Sequence, residues 1–300
     1  VTGVQTCALP IYPQTGRDEW QRRISQSEVV PAEPGRGRRS RRPREAVPLA
    51  PDRLVREGER FDLLEPQVVE PPVAADICVL HEDAELIVIS KPAPLPVHAC
   101  GRFHRNTLRH ILNHVYFPER PHVVHRLDAN TSGLMVLARR KRTATLLAKQ
   151  FEQRQVRKTY LARIVGHPPH DSLTCDLALA EEPGVGGVRL PDPAGTAALT
   201  EFTVLCRLSD GTAMVRAIPV TGRTSQIRAH LWALGFPICG DPAYLPNHGT
   251  GENRTLDPSE PVMCLHAESL QFRDPAGMER QFSAPLPAWV LMENREPCQS

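Results

Sequence analysis

The feature that most constrains the fold of this chain is the stretch "VVHRLDANTSGLMVLAR" at 123–139, two apolar arms separated by polar residues. Apolar runs on both sides of a short polar segment predict a strand, a turn and a second strand. An aspartate in such a turn usually hydrogen-bonds to its own backbone. Asp128 therefore has two interpretations, an ordinary turn residue or a carboxylate that flanking strands hold at the mouth of a cleft.

Similar patterns along the rest of the chain predict the other elements. Paired apolar runs in "ICVLHEDAELIVISKP" and "TEFTVLCRLSDGTAMVRAIPV" predict hairpins. Apolar residues at helical spacing predict helices between them, and Gly235 is the expected C-terminal stop of one. Another helix has an expected apolar face made of Leu108, Ile111, Leu112 and Val115. Hairpins interspersed with helices predict an α+β domain with a central, mostly antiparallel sheet.

Shifts in composition predict the domain organisation. Residues 1–11 resemble the translation of a sequencing adapter and are expected to be an artefact; the alternative is a disordered natural terminus. Residues 12–70 resemble the small RNA-binding module first seen in ribosomal protein S-four; the alternative is a divergent stretch without defined structure. Its segment 31–48 contains six arginines and is expected to be disordered. The expected remainder is a linker at 71–76, the main domain at 77–292 and a tail at 293–300.

Composition and spacing limit the class of protein. A formal net charge of +2 does not by itself indicate a nucleic-acid binder. Eight cysteines without a C-x-x-C pair favour a reducing compartment, so we expect a cytoplasmic protein. There is no apolar run of about 18 residues, and we expect no membrane span. His110 and His114 have a metal-compatible spacing, but without the glutamate of H-E-x-x-H or a third ligand we expect no metal.

The neighbours of Asp128 favour the functional interpretation. Arg126 lies two positions earlier, so both side chains leave an extended segment on the same face, and Gly133 allows another chain to approach closely. The segment "VTGRTSQIRAHL" adds Arg223 and Arg228, of which one can reach a phosphate while the other points into a cleft. Arginines on a surface helix are normally solvated. Beside a carboxylate they would instead hold it in its charged form.

Two residues further along the chain complete the candidate site. Tyr160 in "RKTYLA" is more often a packing residue on a strand, but its ring would also serve as a stacking platform for an unpaired base. "LHAESL" places Leu265 on one of the closing strands.

The ordered set of motifs over about 75–287 resembles the RluA-type pseudouridine synthases. The motifs are "KPAPLPVH", HRLD followed two residues later by TSG, "KTYLA", "TGRTSQIRAHL" followed by "GDPAY", and "LHAESL". The resemblance implies the pseudouridine-synthase fold for the domain at 77–292. It also implies an isomerase that converts specific uridines to pseudouridine in structured RNA. The family modifies both ribosomal and transfer RNA, and of the two we expect ribosomal RNA. No cofactor is implied, and we expect a monomer.

The resemblance implies roles for individual residues. Asp128 would be the catalytic carboxylate, and Arg228 would be the arginine that pairs with it. Tyr160 corresponds to the tyrosine that stacks on the base, and Leu265 lies in the motif that lines the uracil pocket.

Two further arginines are implied to contact RNA. Arg126 matches the arginine that helps to displace the target nucleotide, and Arg223 is assigned to the RNA as well. Ser225 departs from the family pattern, which usually has histidine there, and is expected to weaken a contact to the RNA backbone. The competing interpretation is a non-catalytic RNA-binding or ribosome-associated protein. A carboxylate beside two arginines disfavours it, because a carboxylate repels phosphate.

Overall fold

The computed structural model of the chain describes residues 69–291 without interruption. Of the first 63 residues it describes 2–3, 17–26, 28–31, 49–50, 53–55, 59 and 61–63. The chain divides into two compact units, Val1–Val69 and Glu70–Ser300. The arginine run at 36–44 and the tail at 293–300 lie outside the described residues, so what was expected of them stays a prediction.

The first unit contains one described helix and four short strands. These are β1 (Thr2–Gly3), α1 (Arg17–Ser25), β2 (Val29–Pro31), β3 (Leu54–Val55) and β4 (Phe61–Leu63). β1 pairs with β3 and β2 pairs with β4, both antiparallel. Trp20 and Ile24, one helical turn apart, are buried with Val29 and Leu49.

The second unit is built on a ten-stranded sheet. Its strands are β5 (Cys78–Glu82), β6 (Leu86–Lys91), β7 (His122–Val123), β8 (Ser132–Ala138), β9 (Arg157–Val165), β10 (Ser172–Cys175), β11 (Thr200–Arg207), β12 (Thr212–Pro219), β13 (Leu265–Arg273) and β14 (Glu279–Ser283). The order is β10-β11-β12-β9-β13-β8-β6-β5, with β14 on β13 and β7 on β8. Among these described strands only β8 and β13 pair in parallel, which confirms the mostly antiparallel α+β prediction.

Helices cover both faces of this sheet. They are α2 (Leu108–Val115), α3 (Lys141–Glu152), α4 (Gln226–Ala233) and the short α5 (Ala288–Leu291). On β6, Ile87 and Ile89 share a core with α2, whereas Leu86 and Val88 share a core with α3. Because alternate strand residues point to opposite faces, α2 and α3 lie on opposite sides of the sheet.

One detail of the α2 prediction is wrong. Leu108 and Leu112 are buried as expected, but Val115 is 67 % exposed. Val115 is the final residue of α2, and the buried side chains of the helix belong to its first two turns. Helical spacing predicts which side of a helix a residue occupies, not how far the packed surface extends along it.

The parallel contact between β8 and β13 depends on Gly133. Its φ is +112°, and a Cβ there would lie 2.3 Å from Ala267 O. We therefore expect Gly133→Ala to lower the free energy of unfolding by about 3 kcal/mol or more, combining backbone strain with overlap. Urea unfolding measures the change.

A matched control for Gly133→Ala is Gly277→Ala. Gly277 also has a positive φ of +82°, but a Cβ added there would have no atom within 4 Å. Backbone strain alone should lower the free energy of unfolding of this variant by about 1–2 kcal/mol. Equal losses for the two variants would show that the close approach to Ala267 does not matter.

Candidate active site

A cavity of about 360 Å³ lies between the loop that precedes β8, the strands β9 and β13, and the start of α4. All the site residues predicted from the sequence line it: Arg126, Asp128, Tyr160, Arg223, Arg228 and Leu265. The fold thus brings into one place residues that are widely separated along the chain.

The loop that carries Asp128 is held in place by contacts along its length. Lys91 Nζ donates a hydrogen bond to Ala129 O at 3.2 Å. Within the loop, the Thr131 N–H donates to Asp128 O at 3.1 Å. The Asn130 side chain donates from Nδ2 to Arg254 O at 2.8 Å. The backbone on both sides of Asp128 is therefore fixed by the surrounding structure.

The Asp128 carboxylate is paired with a cation. Arg228 Nη1 donates to Asp128 Oδ2 at 3.0 Å. The Asp128 side chain is 24 % exposed, whereas that of Arg228 is 2 % exposed. One side of the carboxylate thus contacts a buried guanidinium, and the other is accessible from the cavity.

A second aspartate shows how a turn carboxylate behaves in this protein. Asp83 Oδ1 accepts the backbone N–H groups of Glu85 and Leu86, both at 2.8 Å. Among the described residues, the hydrogen-bond partner of the Asp128 carboxylate is Arg228 instead. Of the two interpretations of Asp128, the geometry favours the carboxylate at a cleft.

Arg228 is the centre of a buried polar network. Its Nε and Nη2 donate to the two carboxylate oxygens of Asp241, both at 2.7 Å. Nη1 also donates to Asn253 Oδ1 at 3.1 Å, and the guanidinium lies 5.1 Å from the ring centroid of Tyr244. Burial opposes the charge, but Asp241 and then Asp128 raise the pKa of Arg228 above its usual value. Arg228 therefore remains a permanent cation in a fixed orientation.

Tyr160 and Leu265 form the apolar part of the cavity wall. Tyr160 lies on β9 between Ala217 of β12 and Ala267 of β13. Leu265 begins β13 and is 4 % exposed. Burial, and then the charge of Asp128, raise the pKa of the Tyr160 hydroxyl above its usual range. The tyrosine is thus neutral at physiological pH, and the wall can accommodate a flat uncharged ring.

Arg126 and Arg223 line the cavity without pairing with Asp128. Arg126 is exposed. Arg223 Nε donates to Ala197 O at 3.1 Å. Of the two arginines in "VTGRTSQIRAHL", Arg228 points to the carboxylate and Arg223 does not, which leaves Arg223 available to an anion.

Sequence reasoning missed the partners that hold Arg228. Asp241 belongs to the motif "GDPAY", but the sequence assigned it no role of its own. Asn253 lies in a segment without a recognisable pattern. Their contacts with Arg228 are tertiary, so no local spacing could have revealed them. Ser225 is 8 % exposed, and its Oγ is 3.5 Å from Arg228 Nη1. Ser225 also lines the cavity, so its expected effect on a contact to the RNA backbone stays a prediction.

α4 presents Arg228 at its first turn. Ser225 precedes the helix with a left-handed φ of +56°. Gly235 follows the helix with φ +87°, and its N–H donates to Trp232 O at 3.0 Å, so the predicted stop is confirmed. α4 is buried against the sheet through Ile227 and Leu231, which fixes the start of the Arg228 side chain.

Two further features of the described part of the chain concern metals and membranes. No group of three or more His, Cys, Asp or Glu side chains there is arranged to hold a metal ion, and His110 and His114 are both exposed on α2. In the same residues, every helix is too short or too polar to cross a membrane.

Comparison with known proteins identifies relatives. The profile of the RNA pseudouridylate synthase family matches residues 85–233. The chain is 35 % identical over 219 residues to the dual-specificity RNA pseudouridine synthase RluA of Escherichia coli K12, covering 72 % of this chain and 95 % of that protein. It is 39 % identical over 176 residues to human pseudouridylate synthase RPUSD2, covering 58 % of this chain and 32 % of that protein.

The solved structure of human RNA pseudouridylate synthase domain containing 4 is also similar. It has a TM-score of 0.57 and 30 % sequence identity, and the match covers 71 % of this chain and 90 % of that one. The four animal and plant relatives found first are longer proteins, of which this chain covers 32 %, 37 %, 48 % and 60 %.

Proposed function

The chain belongs to the RNA pseudouridylate synthase family, and on this premise we propose that it isomerises uridines to pseudouridine in structured RNA. The observation that carries the proposal is the Asp128 carboxylate, paired with buried Arg228 on one side and accessible from a cavity on the other. The non-catalytic alternative gives no reason to place a carboxylate where RNA phosphates must approach.

The chemistry of the reaction matches this arrangement. The bond between N1 of uracil and C1′ of the ribose breaks, the base rotates, and its C5 forms a new bond to C1′; C5 then loses its proton and N1 gains one. No electron is gained or lost and no group leaves the RNA, so the demand on the protein is to hold the base and stabilise charge. An ionised carboxylate in a fixed position either attacks the sugar or removes a sugar proton. Both roles require Asp128 in a fixed position, and the Arg228 guanidinium, 3.0 Å from its carboxylate, supplies the contact that orients it.

The uridine must leave its stack before it reaches Asp128. Unstacking costs a few kcal/mol, and stacking on an aromatic side chain returns about 1–3 kcal/mol. Tyr160 and Leu265 supply the apolar wall for the base. Arg126, exposed two residues before Asp128, is proposed to displace the nucleotide, and Arg223 to contact the RNA backbone.

The RNA class is part of the proposal. We favour ribosomal RNA over transfer RNA, supported by the likeness of residues 12–70 to a module of a ribosomal protein. Among the relatives, the yeast protein is named a tRNA pseudouridine(32) synthase. We further propose that the protein acts as a monomer in the cytoplasm, which gel filtration and cell fractionation would test.

The direct test is to map pseudouridines in RNA from cells with and without the gene. Purified protein is then added to the RNA from the deficient cells, and the positions are mapped again. We expect specific positions to be lost with the gene and restored by the protein. An unchanged map in both experiments would contradict the proposed function.

A prediction about Tyr160 tests the stacking role. Tyr160→Phe keeps the ring and should retain kcat/KM within a few-fold. Tyr160→Ala should lower kcat/KM by about 10- to 100-fold, since stacking on one base contributes about 1–3 kcal/mol. Steady-state kinetics measures the change, and Tyr116→Ala, a tyrosine outside the cavity, is the control. An equal fall in kcat/KM for Tyr160→Phe and Tyr160→Ala would instead indicate that the hydroxyl group, not the ring, is required.

A further inference from the structure

We propose that Lys158 is an anion-binding residue of the cavity, where its ammonium holds a backbone phosphate of the nucleotide whose base stacks on Tyr160. The inference rests on the proposed function, because it takes RNA as the molecule that enters the cavity. Lys158 is the first residue of the motif "KTYLA", in which the sequence assigned a role only to Tyr160, and the inference assigns it one ligand group.

Lys158 has the right position for this task. It lies two residues before Tyr160 on β9, and both side chains line the same cavity. Residues at i and i+2 of a strand project from the same face about 7 Å apart. A base on Tyr160 and its own phosphate group are separated by a comparable span, so one nucleotide can contact both side chains.

The hydrogen bonds of Lys158 are incomplete in comparison with those of the buried Lys91 nearby. Lys91 Nζ donates to Pro92 O and Leu95 O, both at 2.9 Å, and to Ala129 O at 3.2 Å, which uses all three of its N–H groups. Lys158 Nζ donates to Thr221 O at 3.2 Å, its single hydrogen-bond partner among the described residues. Two N–H donors of the Lys158 ammonium are thus left for a ligand in the cavity.

The charge around Lys158 is also unbalanced. Glu152 lines the same cavity, but Lys158 forms no ion pair with it or with any other carboxylate in the part of the chain that the structure describes. Burial, and then the nearby charge of Arg154, lower the pKa of the Lys158 amine. A partly desolvated cation beside a second cation is stabilised when an anion binds.

The backbone next to Lys158 leaves room for a phosphate. A Cβ added at Gly222 would lie 3.4 Å from Lys158 Nζ, so the absence of a side chain at 222 keeps the ammonium accessible from that direction. Gly222 and Thr224 are exposed and line the cavity. The segment that follows β12 and the strand β9 therefore form two sides of one cationic recess.

The competing role for Lys158 is structural, since its bond to Thr221 O connects β9 to the segment before α4. Two substitutions separate the roles. Lys158→Gln keeps a side-chain donor for Thr221 O but removes the charge, whereas Lys158→Arg keeps the charge. If the charge of Lys158 binds the phosphate, Lys158→Gln should bind RNA as weakly as Lys158→Met. Lys158→Arg should then bind RNA like the parent protein.

The experiment measures binding of a fluorescent ten-nucleotide oligouridylate by anisotropy over a series of NaCl concentrations. The full chain carries Asp128→Asn so that no turnover occurs. Each phosphate neutralised on a single strand contributes about 0.7 to the slope of log K against log [NaCl]. We expect Lys158→Met and Lys158→Gln to lower the magnitude of that slope by about 0.7 and to weaken binding about tenfold at low salt. Lys158→Arg and Lys141→Met, a substitution of an exposed lysine at the far end of α3, should leave the slope unchanged.

The outcomes separate this inference from the proposed function. Tyr160→Ala is measured beside the lysine variants, and thermal unfolding confirms that each variant is folded. If Tyr160→Ala weakens binding while the Lys158 variants keep the parent slope, the phosphate role is wrong and the RNA cavity stands. Weaker binding of Lys158→Met with an unchanged slope, and normal binding of Lys158→Gln, would indicate the structural role. If neither Tyr160→Ala nor Lys158→Met alters binding, the cavity is not the RNA site and both proposals fail.

Discussion

Asp128→Asn should abolish uridine isomerisation and leave the fold intact. The amide has nearly the same shape and retains an oxygen that can accept the Arg228 Nη1 hydrogen bond, which is 3.0 Å long in the native protein. It cannot carry the negative charge or accept the proton that the reaction needs. We expect the rate to fall by about 10⁴-fold or more, at the upper end of what one acid–base or nucleophilic group contributes.

The measurement is single-turnover formation of pseudouridine, quantified by mass spectrometry of digested RNA. The unfolding temperature should change little, because the partly exposed Asp128 lies at the edge of the network and Arg228 keeps both bonds to Asp241. Asp210→Asn, at an exposed turn, is the control and should keep full activity. An Asp128→Asn protein that still converts uridine at a substantial fraction of the native rate would refute the proposed role of Asp128.

Arg228→Ala should damage both stability and activity. Its removal leaves the fully buried Asp241 carboxylate without a cation. Breaking a buried ion pair in this way costs about 3–5 kcal/mol. Activity should fall as well, because Asp128 loses the guanidinium that holds its carboxylate in place. Urea unfolding gives the stability, and the same single-turnover assay gives the activity.

A double variant separates the two effects of Arg228. Arg228→Met with Asp241→Asn removes both charges, and the amide can still accept from the Ala243 and Tyr244 N–H groups that Asp241 Oδ1 binds at 2.8 and 3.1 Å. Replacing both partners of a buried pair is much less costly than removing one. We expect the double variant to recover most of the stability and to remain inactive. Recovery of activity together with stability would mean that Arg228 serves only the fold.

The sequence predicted the fold class and the cavity residues because each depends on a local signal. Signals such as the continuous apolar run of β8 and the glycine that follows α4 can be recognised from a few residues. Asp128, Tyr160 and Arg228 belong to short ordered motifs, and the fold places all of them around one cavity.

What the sequence could not predict depends on contacts between distant segments. Asp241 is bound to Arg228 because the chain returns to α4 after a loop, and nothing within "GDPAY" indicates that partner. Lys91 has three carbonyl partners and Lys158 has one. The sequence does not indicate this difference either. The predicted burial of the end of α2 was wrong for a similar reason. The whole sheet determines how far along the helix the packed surface extends.

The parallel pairing of β8 with β13 also determines when the site can exist during synthesis. Ser132 Oγ lies 2.8 Å from His266 Nδ1, a contact that spans 134 residues. At about 5–20 residues per second, a ribosome needs about 7–27 s to make that interval. A nascent chain therefore carries its aspartate for many seconds before the strand that completes the cavity wall is available. We expect chains that end before β13 to be unable to modify RNA, so that the proposed activity of a newly made protein would appear only after β13 docks on β8.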